Sequence, residues 1–184
     1  MLHGYGQLAG AFLESFRALA SPQRVLVAPE ALSRFYLRRG TGEVGASWMT
    51  REARELEIAD IVRYLDLVAE RVLGPRAAEV SIHALGFSQG AAAAARWAAM
   101  GRWSVERLTL WGGGFPPDLD LAARGQRLRG TSVTLVRGER DESVDREALE
   151  RDQERLRAAG IAAEVLTFAG GHELDEPTLA HLAR

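Results

Sequence analysis

The stretch that decides the fold is residues 80–95, which read Val-Ser-Ile-His-Ala-Leu-Gly-Phe-Ser-Gln-Gly followed by five alanines. The apolar run at residues 80–85 predicts a buried strand, and the alanines predict a helix that runs to about Gly101. Between them, Gly86-Phe87-Ser88-Gln89-Gly90 forms a G-x-S-x-G turn. Such a turn exposes a serine hydroxyl at the end of a strand, beside a helix N-terminus that favours developing negative charge. Ser88 is therefore the candidate nucleophile.

On either side of this turn, short apolar runs alternate with segments of helical period. Further strands are predicted at residues 25–28, 107–111, 132–136 and 163–168. Helices are predicted at residues 8–19, from an N-cap at Thr50 to Gly74, and at residues 174–182. Another is predicted in the segment that contains Leu149 and Leu156 and ends at Gly160. This alternation predicts one α/β domain over residues 1–184, with a mostly parallel sheet and helices on both faces. Residues 29–50 are expected to form a loop region that covers a substrate pocket.

The composition excludes several kinds of chemistry. The chain has no Cys, no Lys and no Asn, so its 23 basic residues are all Arg, against 25 acidic residues and a net charge of -2. Thiol nucleophiles, disulfides, thiolate metal sites, Schiff bases and P-loop lysines are thus excluded. We expect no metal or other cofactor and no nucleic-acid partner. Because neither a signal peptide nor an apolar stretch of transmembrane length is found, we expect a cytoplasmic protein without a membrane span.

A serine nucleophile needs a base, and the chain has four histidines. His172 follows the last predicted strand through Ala169-Gly170-Gly171, which places it at the carboxyl edge of the sheet, so it is the candidate base. His83 lies inside a predicted strand, where we expect a buried, hydrogen-bonded imidazole. His181 lies late in the last predicted helix and is expected at the surface.

The acid that orients the base should lie between Ser88 and His172, because the fold that builds this turn uses the chain order Ser, Asp or Glu, His. Asp141 follows a predicted strand closely and fits best. Asp145 is the competing candidate, although its position suits the cap of the next helix. Asp118 and Asp120 follow Pro117, where helix capping explains both.

The oxyanion that forms on attack needs two backbone N–H donors. One should be the amide of Gln89, the residue after the nucleophile. The second should come from a glycine-rich loop after an earlier strand, and His3-Gly4-Tyr5-Gly6-Gln7 fits this position. We expect the Tyr5 amide to be the second donor. An apolar pocket for the acyl chain is predicted to be lined by Phe35, Tyr36, Trp48, Met49 and Phe115. Packing in the core would explain each of these apolar residues about equally well.

With these residues in place, the chain resembles the carboxylesterase/phospholipase (acyl-protein thioesterase-like) branch of the α/β-hydrolases. The similarity rests on the His3–Gly6 loop, the turn at residues 86–90, Gly138-Glu139-Arg140-Asp141 with Val144, and Gly171-His172. The resemblance implies an α/β-hydrolase fold and a metal-free serine hydrolase. Members of this branch have strands before the His-Gly loop, whereas this chain begins at Met1, so we expect its N-terminal strands to be missing or truncated. The start could lie upstream, the sheet could close differently, or residues 1–2 could be a short remnant.

The leading functional prediction is a serine hydrolase that cleaves small-molecule carboxylic esters, in the manner of a carboxylesterase or lysophospholipase. Ser88, His172 and Asp141 would form a triad that passes through an acyl-enzyme. One alternative is a catalytically impaired binding protein on the same fold. Another is a thioesterase or acyltransferase with the same triad, since acyl-acceptor choice depends on pocket shape. The chain could assemble as a homodimer.

Overall fold

A four-stranded parallel sheet forms the centre of the computed structural model, which describes residues 1–143 and 146–183. The strands stand in the order β3-β4-β5-β6, and their bounds are His83–Phe87, Arg107–Trp111, Ser132–Gly138 and Ala163–Phe168. Phe87, Trp111 and Val136 are level with one another across β3, β4 and β5. Side chains that follow these strands therefore meet at the same edge of the sheet, and the predicted parallel sheet is confirmed.

Helices cover both faces of the sheet. Their bounds are α1 (Ala9–Glu14), α2 (Arg54–Leu73), α3 (Gln89–Met100), α4 (Leu121–Arg124), α5 (Arg146–Ala158) and α6 (Glu176–Leu182). On one face, residues of α2 and α3 share a buried apolar cluster with Leu108 and Leu110 of β4. On the other face, Phe12 of α1 and Leu179 of α6 share a second cluster with Trp111. Successive side chains of β4 thus point to opposite faces, which is the period of a strand buried on both sides.

Helix α2 shows both a confirmed pattern and a misplaced start. Its buried residues are Ile58, Ile61, Val62 and Leu65, the stripe from which the sequence predicts this helix. Thr50 is not its N-cap, because the helix begins at Arg54 after Ala53, which has φ 47°. The Thr50 hydroxyl instead accepts a hydrogen bond from the Glu52 amide at 3.2 Å. None of the described helices combines the length and the apolar character needed to cross a membrane.

The N-terminus lies beside β3. Leu2 pairs in parallel with Gly86: its amide donates to Leu85 O at 2.7 Å, and its carbonyl accepts from the Phe87 amide at 2.9 Å. On the other side, the Met1 amino group donates to Val27 O at 2.7 Å. Residues 1–2 thus hold the place of a strand between β3 and the Val27 segment, and they lead directly into the glycine-rich loop at residues 3–7.

One expectation for residues 25–50 is wrong, and the region at residues 29–50 contains two strands that the sequence does not indicate. Residues 25–28 do not form a strand, because Val27 O accepts a hydrogen bond from Met1 but the segment pairs with no neighbouring strand among the described residues. Val25, which the sequence predicts to be buried, is 79% exposed. Residues 29–50 are not simply a loop, since Ser33–Tyr36 (β1) and Val44–Ser47 (β2) form an antiparallel hairpin. Strands of four residues are too short to show a clear alternation in the sequence.

The prediction of a buried His83 is also wrong. Its side chain is 46% exposed, and its Nε2 lies 3.8 Å from Glu106 Oε1. His83 begins β3 at the amino edge of the sheet, and it is the exposed residue of a strand whose other residues are buried or partly buried. His181 is exposed, as the sequence predicts.

Candidate active site

Ser88 occupies a strained turn between β3 and α3. It precedes the first residue of α3 and has φ 54° and ψ -119°, a conformation that costs free energy for any residue other than glycine. The Ser88 amide donates to Trp111 O at 2.8 Å, which fixes the turn to the end of β4. The serine side chain is therefore presented at the carboxyl edge of the sheet.

Gly86 and Gly90 allow the backbone segments around Ser88 to approach closely. A Cβ on Gly86 would lie 2.2 Å from Gly90 O, so the start of α3 could not lie so near β3 with any other residue there. A Cβ on Gly90 would lie 2.2 Å from Leu2 O and 2.6 Å from His3 O. The two glycines thus let the helix N-terminus reach both the strand and the glycine-rich loop at residues 3–7.

His172 and Asp141 are hydrogen-bonded to each other. Asp141 follows β5 and His172 follows β6, and His172 Nδ1 lies 2.8 Å from Asp141 Oδ2. Asp141 is buried, with 2% of its surface exposed. Gly138 makes the approach of the two loops possible, because a Cβ there would lie 2.3 Å from Gly171 O. Asp145, the competing candidate for the acid, and Val144 lie outside the described residues.

Ser143 is a third member of this cluster that sequence reasoning missed. Its hydroxyl donates to Asp141 Oδ1 at 2.5 Å, its amide donates to the same oxygen at 2.9 Å, and its Oγ lies 2.7 Å from His172 Nδ1. The available signal was local: a serine two residues after an aspartate commonly hydrogen-bonds back to that carboxylate. Both hydrogen bonds described for His172 are at Nδ1, which leaves Nε2 as the nitrogen directed to other partners.

The pKa of Asp141 reflects two opposing influences. Burial raises the pKa, but hydrogen bonds from Ser143 and His172 to the ionised carboxylate outweigh burial and hold the pKa below its ordinary value. Asp141 is therefore ionised at neutral pH. An ionised carboxylate at Nδ1 favours the tautomer that carries its proton there, which leaves Nε2 free to accept one.

The imidazole of His172 lies next to the serine turn. Its ring centroid is 4.9 Å from that of Phe87, the residue before Ser88. Gly112, which follows β4, leaves room for the imidazole, because a Cβ there would lie 2.9 Å from His172 Cε1. The His172–Asp141 pair and Ser88 thus share the edge formed by the ends of β3, β4, β5 and β6.

The glycine-rich loop at residues 3–7 lies against the serine. A Cβ on Gly4 would lie 3.3 Å from Ser88 Cβ. The Gly4 amide donates to Gln7 Oε1 at 2.7 Å, and the Gly6 amide donates to Ala46 O at 2.8 Å. The amide of Tyr5, between them, has no acceptor within residues 1–143 and 146–183. Gln89 is the first residue of α3, so its amide also lacks an intrahelical acceptor.

The five predicted pocket residues are not brought together. Trp48 and Phe115 are buried in the core cluster between the sheet, α2 and α3, and Met49 packs against it. Phe35 stacks on Tyr5 with a centroid distance of 5.0 Å, whereas Tyr36 is 71% exposed. A cavity of about 320 Å³ lies instead beside the glycine-rich loop, and it is lined by Gly6, Gln7, Leu8, Ala11, Phe12, Ser15 and Val44.

The remaining acidic candidates have structural roles. Asp120 is the N-cap of α4, as the sequence predicts, and accepts hydrogen bonds from the Ala122 and Ala123 amides. Asp118 is not a cap, which corrects the prediction. It pairs with Arg96 of α3 and Arg54 of α2, contacts with distant segments that capping rules do not consider.

Strand β3 runs directly into a strained serine turn at the carboxyl edge of a parallel sheet, and a histidine bonded to an aspartate lies at the same edge. This architecture is that of the α/β-hydrolases. Within that class, the chain belongs to the phospholipase/carboxylesterase family, whose model matches residues 1–184.

Solved structures with the same fold include several from plants and bacteria. Acyl-protein thioesterase 2 from Zea mays is 19% identical with a TM-score of 0.70, over 99% of this chain and 88% of that chain. A carboxylesterase from Mesorhizobium loti is 19% identical with a TM-score of 0.73, over 99% and 84%. SOBER1 from Arabidopsis thaliana is 18% identical with a TM-score of 0.73, over 99% and 93%. No curated protein sequence matches the chain.

Proposed function

We propose that the chain is a serine hydrolase that cleaves carboxylic esters through an acyl-enzyme on Ser88. The observation that carries the proposal is the 2.8 Å contact between Asp141 and His172 Nδ1, with the imidazole beside Phe87 and the strained Ser88 turn. A base held in this tautomer, next to a partly buried serine in a strained turn, is the arrangement that activates a hydroxyl.

In the proposed reaction, Ser88 Oγ attacks the ester carbonyl carbon while His172 Nε2 takes the hydroxyl proton. The tetrahedral intermediate then expels the alcohol, which receives that proton from His172. Water, activated by the same nitrogen, attacks the acyl-enzyme and releases the carboxylic acid and free Ser88. Asp141 keeps the imidazole oriented and stabilises its positive charge during both steps.

The negative oxygen of each tetrahedral intermediate would be held by the amides of Tyr5 and Gln89. The neighbours of Tyr5 support this assignment, because the Gly4 and Gly6 amides already donate to Gln7 Oε1 and Ala46 O. The Gln89 amide adds the positive end of helix α3. Donors that are preorganised in this way need no rearrangement when the charge forms.

Thioester hydrolysis is the second candidate, favoured by the likeness to the Zea mays acyl-protein thioesterase 2. The same nucleophile, base and oxyanion donors serve both reactions, so the leaving group decides between them. Parallel assays with p-nitrophenyl esters and acyl thioesters of equal chain length would separate the two. A cytoplasmic location and a homodimer stay predictions of the sequence.

The proposal is tested with Ser88→Ala, assayed on p-nitrophenyl butyrate and with a fluorophosphonate probe that labels only activated serines. We expect kcat/KM to fall by about 10⁴-fold or more, and labelling to disappear, with an unchanged circular dichroism spectrum. Ser132→Ala, at the exposed start of β5, is the matched control and should retain full activity. Full turnover by Ser88→Ala would refute the proposal. A wild-type protein that is neither active nor labelled would favour the impaired binding protein.

A further inference from the structure

Trp48 links two segments that meet at the candidate oxyanion site. It is 1% exposed, and its indole Nε1 donates at 2.8 Å to the carbonyl of His3, the first residue of the glycine-rich loop. Its backbone amide donates to Gln89 Oε1 at 2.9 Å, at the start of α3. One residue is therefore bonded both to the loop that carries the Tyr5 amide and to the residue that carries the other donor.

The side chain of Gln89 is fully used within the protein. Its Nε2 donates to Met49 O at 2.9 Å and to Ser47 Oγ at 3.1 Å, while its Oε1 accepts from the Trp48 amide. A carboxamide with both ends satisfied by one short segment has a fixed orientation. It holds residues 47–49 against the N-terminus of α3.

The same segment continues into β2, which pairs with the glycine-rich loop. The Gly6 amide donates to Ala46 O at 2.8 Å, and the Ala46 amide donates to Gln7 O at 3.2 Å. A Cβ on Gly45 would lie 2.5 Å from Gly6 O, so the hairpin and the loop are in direct backbone contact. Residues 45–49 thus touch the loop at one end and the serine turn at the other.

We propose that the Trp48 indole and the Gln89 carboxamide are positioning residues, which fix the glycine-rich loop and its Tyr5 amide relative to the Gln89 amide. The inference rests on the proposed function, in which these two amides hold the oxyanion. A displacement of about 1 Å in a catalytic group can lower a rate about 100-fold. The network acts on the chemical step more than on substrate binding, because the negative oxygen develops only as the tetrahedral intermediate forms.

Trp48→Phe tests the inference, since phenylalanine retains an aromatic ring but has no N–H for His3 O. Trp103→Phe is the matched control, because the Trp103 indole also donates to a backbone carbonyl, that of Asp66, at 3.1 Å and away from the site. For Trp48→Phe we expect kcat to fall about 10- to 100-fold, with KM changed less than about twofold. The affinity for an aryl trifluoromethyl ketone, which forms a tetrahedral oxyanion on the serine, should fall in parallel.

Hydrogen–deuterium exchange reports how well the backbone amides of the loop are protected, and it does not depend on catalytic activity. We expect residues 4–7 to exchange faster in Trp48→Phe than in the wild type, and no such change in Trp103→Phe. Gln89→Glu provides an independent variant of the same shape, because a carboxylate cannot donate to Met49 O. It should show the same pattern: lower kcat, similar KM and faster exchange at residues 4–7.

The outcomes separate this inference from the proposed function. An inactive, unlabelled wild type would end the proposed hydrolase, whereas faster exchange at residues 4–7 in both variants would still support the coupling. Unchanged exchange in both variants would overturn the inference. It would also be overturned if exchange increased while kcat and the ketone affinity of an active enzyme stayed at wild-type values, because the network would then be merely structural.

Discussion

Asp141 Oδ2 lies 2.8 Å from His172 Nδ1, although the two residues are 31 positions apart along the chain. The contact arises because β5 and β6 are parallel neighbours, so the residues that follow them meet at one edge of the sheet. Gly138 lets the two following loops approach each other, because a Cβ there would lie 2.3 Å from Gly171 O. The relationship thus depends on the register of the sheet as well as on the two side chains.

Asp141→Asn should remove most of the activity while leaving the fold intact. An amide at this position can donate to Nδ1 and so favour the tautomer with its proton on Nε2, which cannot take the Ser88 proton. We expect kcat to fall about 10³- to 10⁴-fold on p-nitrophenyl butyrate. Asp120→Asn is the matched control, because asparagine also caps helices. Equal activities of the two variants would show that Asp141 does not orient the base.

The low pKa of Asp141 predicts how stability depends on pH. Since its pKa in the folded protein lies below the ordinary value of 3.8, the carboxylate stabilises the fold fully above about pH 4, and this contribution is lost as pH falls through the folded pKa. The difference in free energy of unfolding between wild type and Asp141→Asn should therefore be largest near pH 6 and shrink towards pH 3. Urea unfolding at several pH values measures it.

Ser143→Ala provides the control for this pH dependence. It removes the hydroxyl that donates to Asp141 Oδ1, so the pKa of Asp141 should rise towards its ordinary value. The stability that Asp141 contributes above about pH 4, and the loss of that stability on acidification, should then both be smaller than in the wild type. Ser143→Thr retains the hydroxyl and should behave like the wild type. If the free energy of unfolding depended on pH in the same way in the wild type and in all of these variants, including Asp141→Asn, groups other than Asp141 would cause the loss of stability in acid.

Gly90→Ala should destabilise the protein and separate the start of α3 from the glycine-rich loop. The added Cβ would lie 2.2 Å from Leu2 O, which is backbone and cannot move without breaking the Leu2–β3 pairing. We expect a loss of about 2–4 kcal/mol in the free energy of unfolding, as for other overpacked sites.

Gly10→Ala is the matched control for the same change in a helix. A Cβ on Gly10, an exposed residue of α1, meets nothing within 4 Å. It should stabilise the protein by about 0.5–1 kcal/mol, because alanine loses less backbone entropy on folding. Similar effects of the two substitutions in urea unfolding would contradict the close approach at Gly90.

The sequence predicts those features of the fold that local patterns specify. Apolar runs identify β4, β5 and β6 closely, and the G-x-S-x-G pattern locates the turn at Ser88 because its glycines are needed for steric reasons. The edge-of-sheet rule then selects Asp141 and His172 from the available acids and histidines, and the structure places these two side chains in contact. Their catalytic roles stay predictions.

Features that depend on distant contacts could not be predicted in this way. Trp48 is the type of residue that lines an apolar pocket, but its hydrogen-bond partners are distant in the sequence. Its indole bonds to His3, 45 positions away, and its amide bonds to Gln89, 41 positions away. The strand expected at residues 25–28 has the right composition but lacks a ladder partner. Asp118 looks like a helix cap, and only the packing of α2 and α3 supplies its two arginines.

The pair formed by Arg96 and Asp118 yields the last prediction. The Arg96 side chain is 2% exposed, and its Nη2 lies 3.0 Å and 3.1 Å from the two oxygens of Asp118, which is itself 36% exposed. Burial lowers the pKa of Arg96, although hydrogen bonding to Asp118 opposes this. Asp118→Ala would therefore leave a buried guanidinium without its carboxylate. We expect a loss of about 1–3 kcal/mol, below the value for a fully buried pair because water reaches Asp118.

A double-mutant cycle distinguishes an unpaired charge from a general loss of packing. Arg96→Met removes the charge and retains an unbranched apolar side chain, so adding it to Asp118→Ala should restore part of the stability. Asp60→Ala, an exposed carboxylate on α2, should change stability by less than about 0.5 kcal/mol. If Asp118→Ala were as stable as Asp60→Ala in urea unfolding, the pair would not stabilise the fold. If the double variant were less stable than Asp118→Ala alone, the guanidinium would stabilise the fold through contacts other than Asp118, such as Met49 Sδ at 3.6 Å.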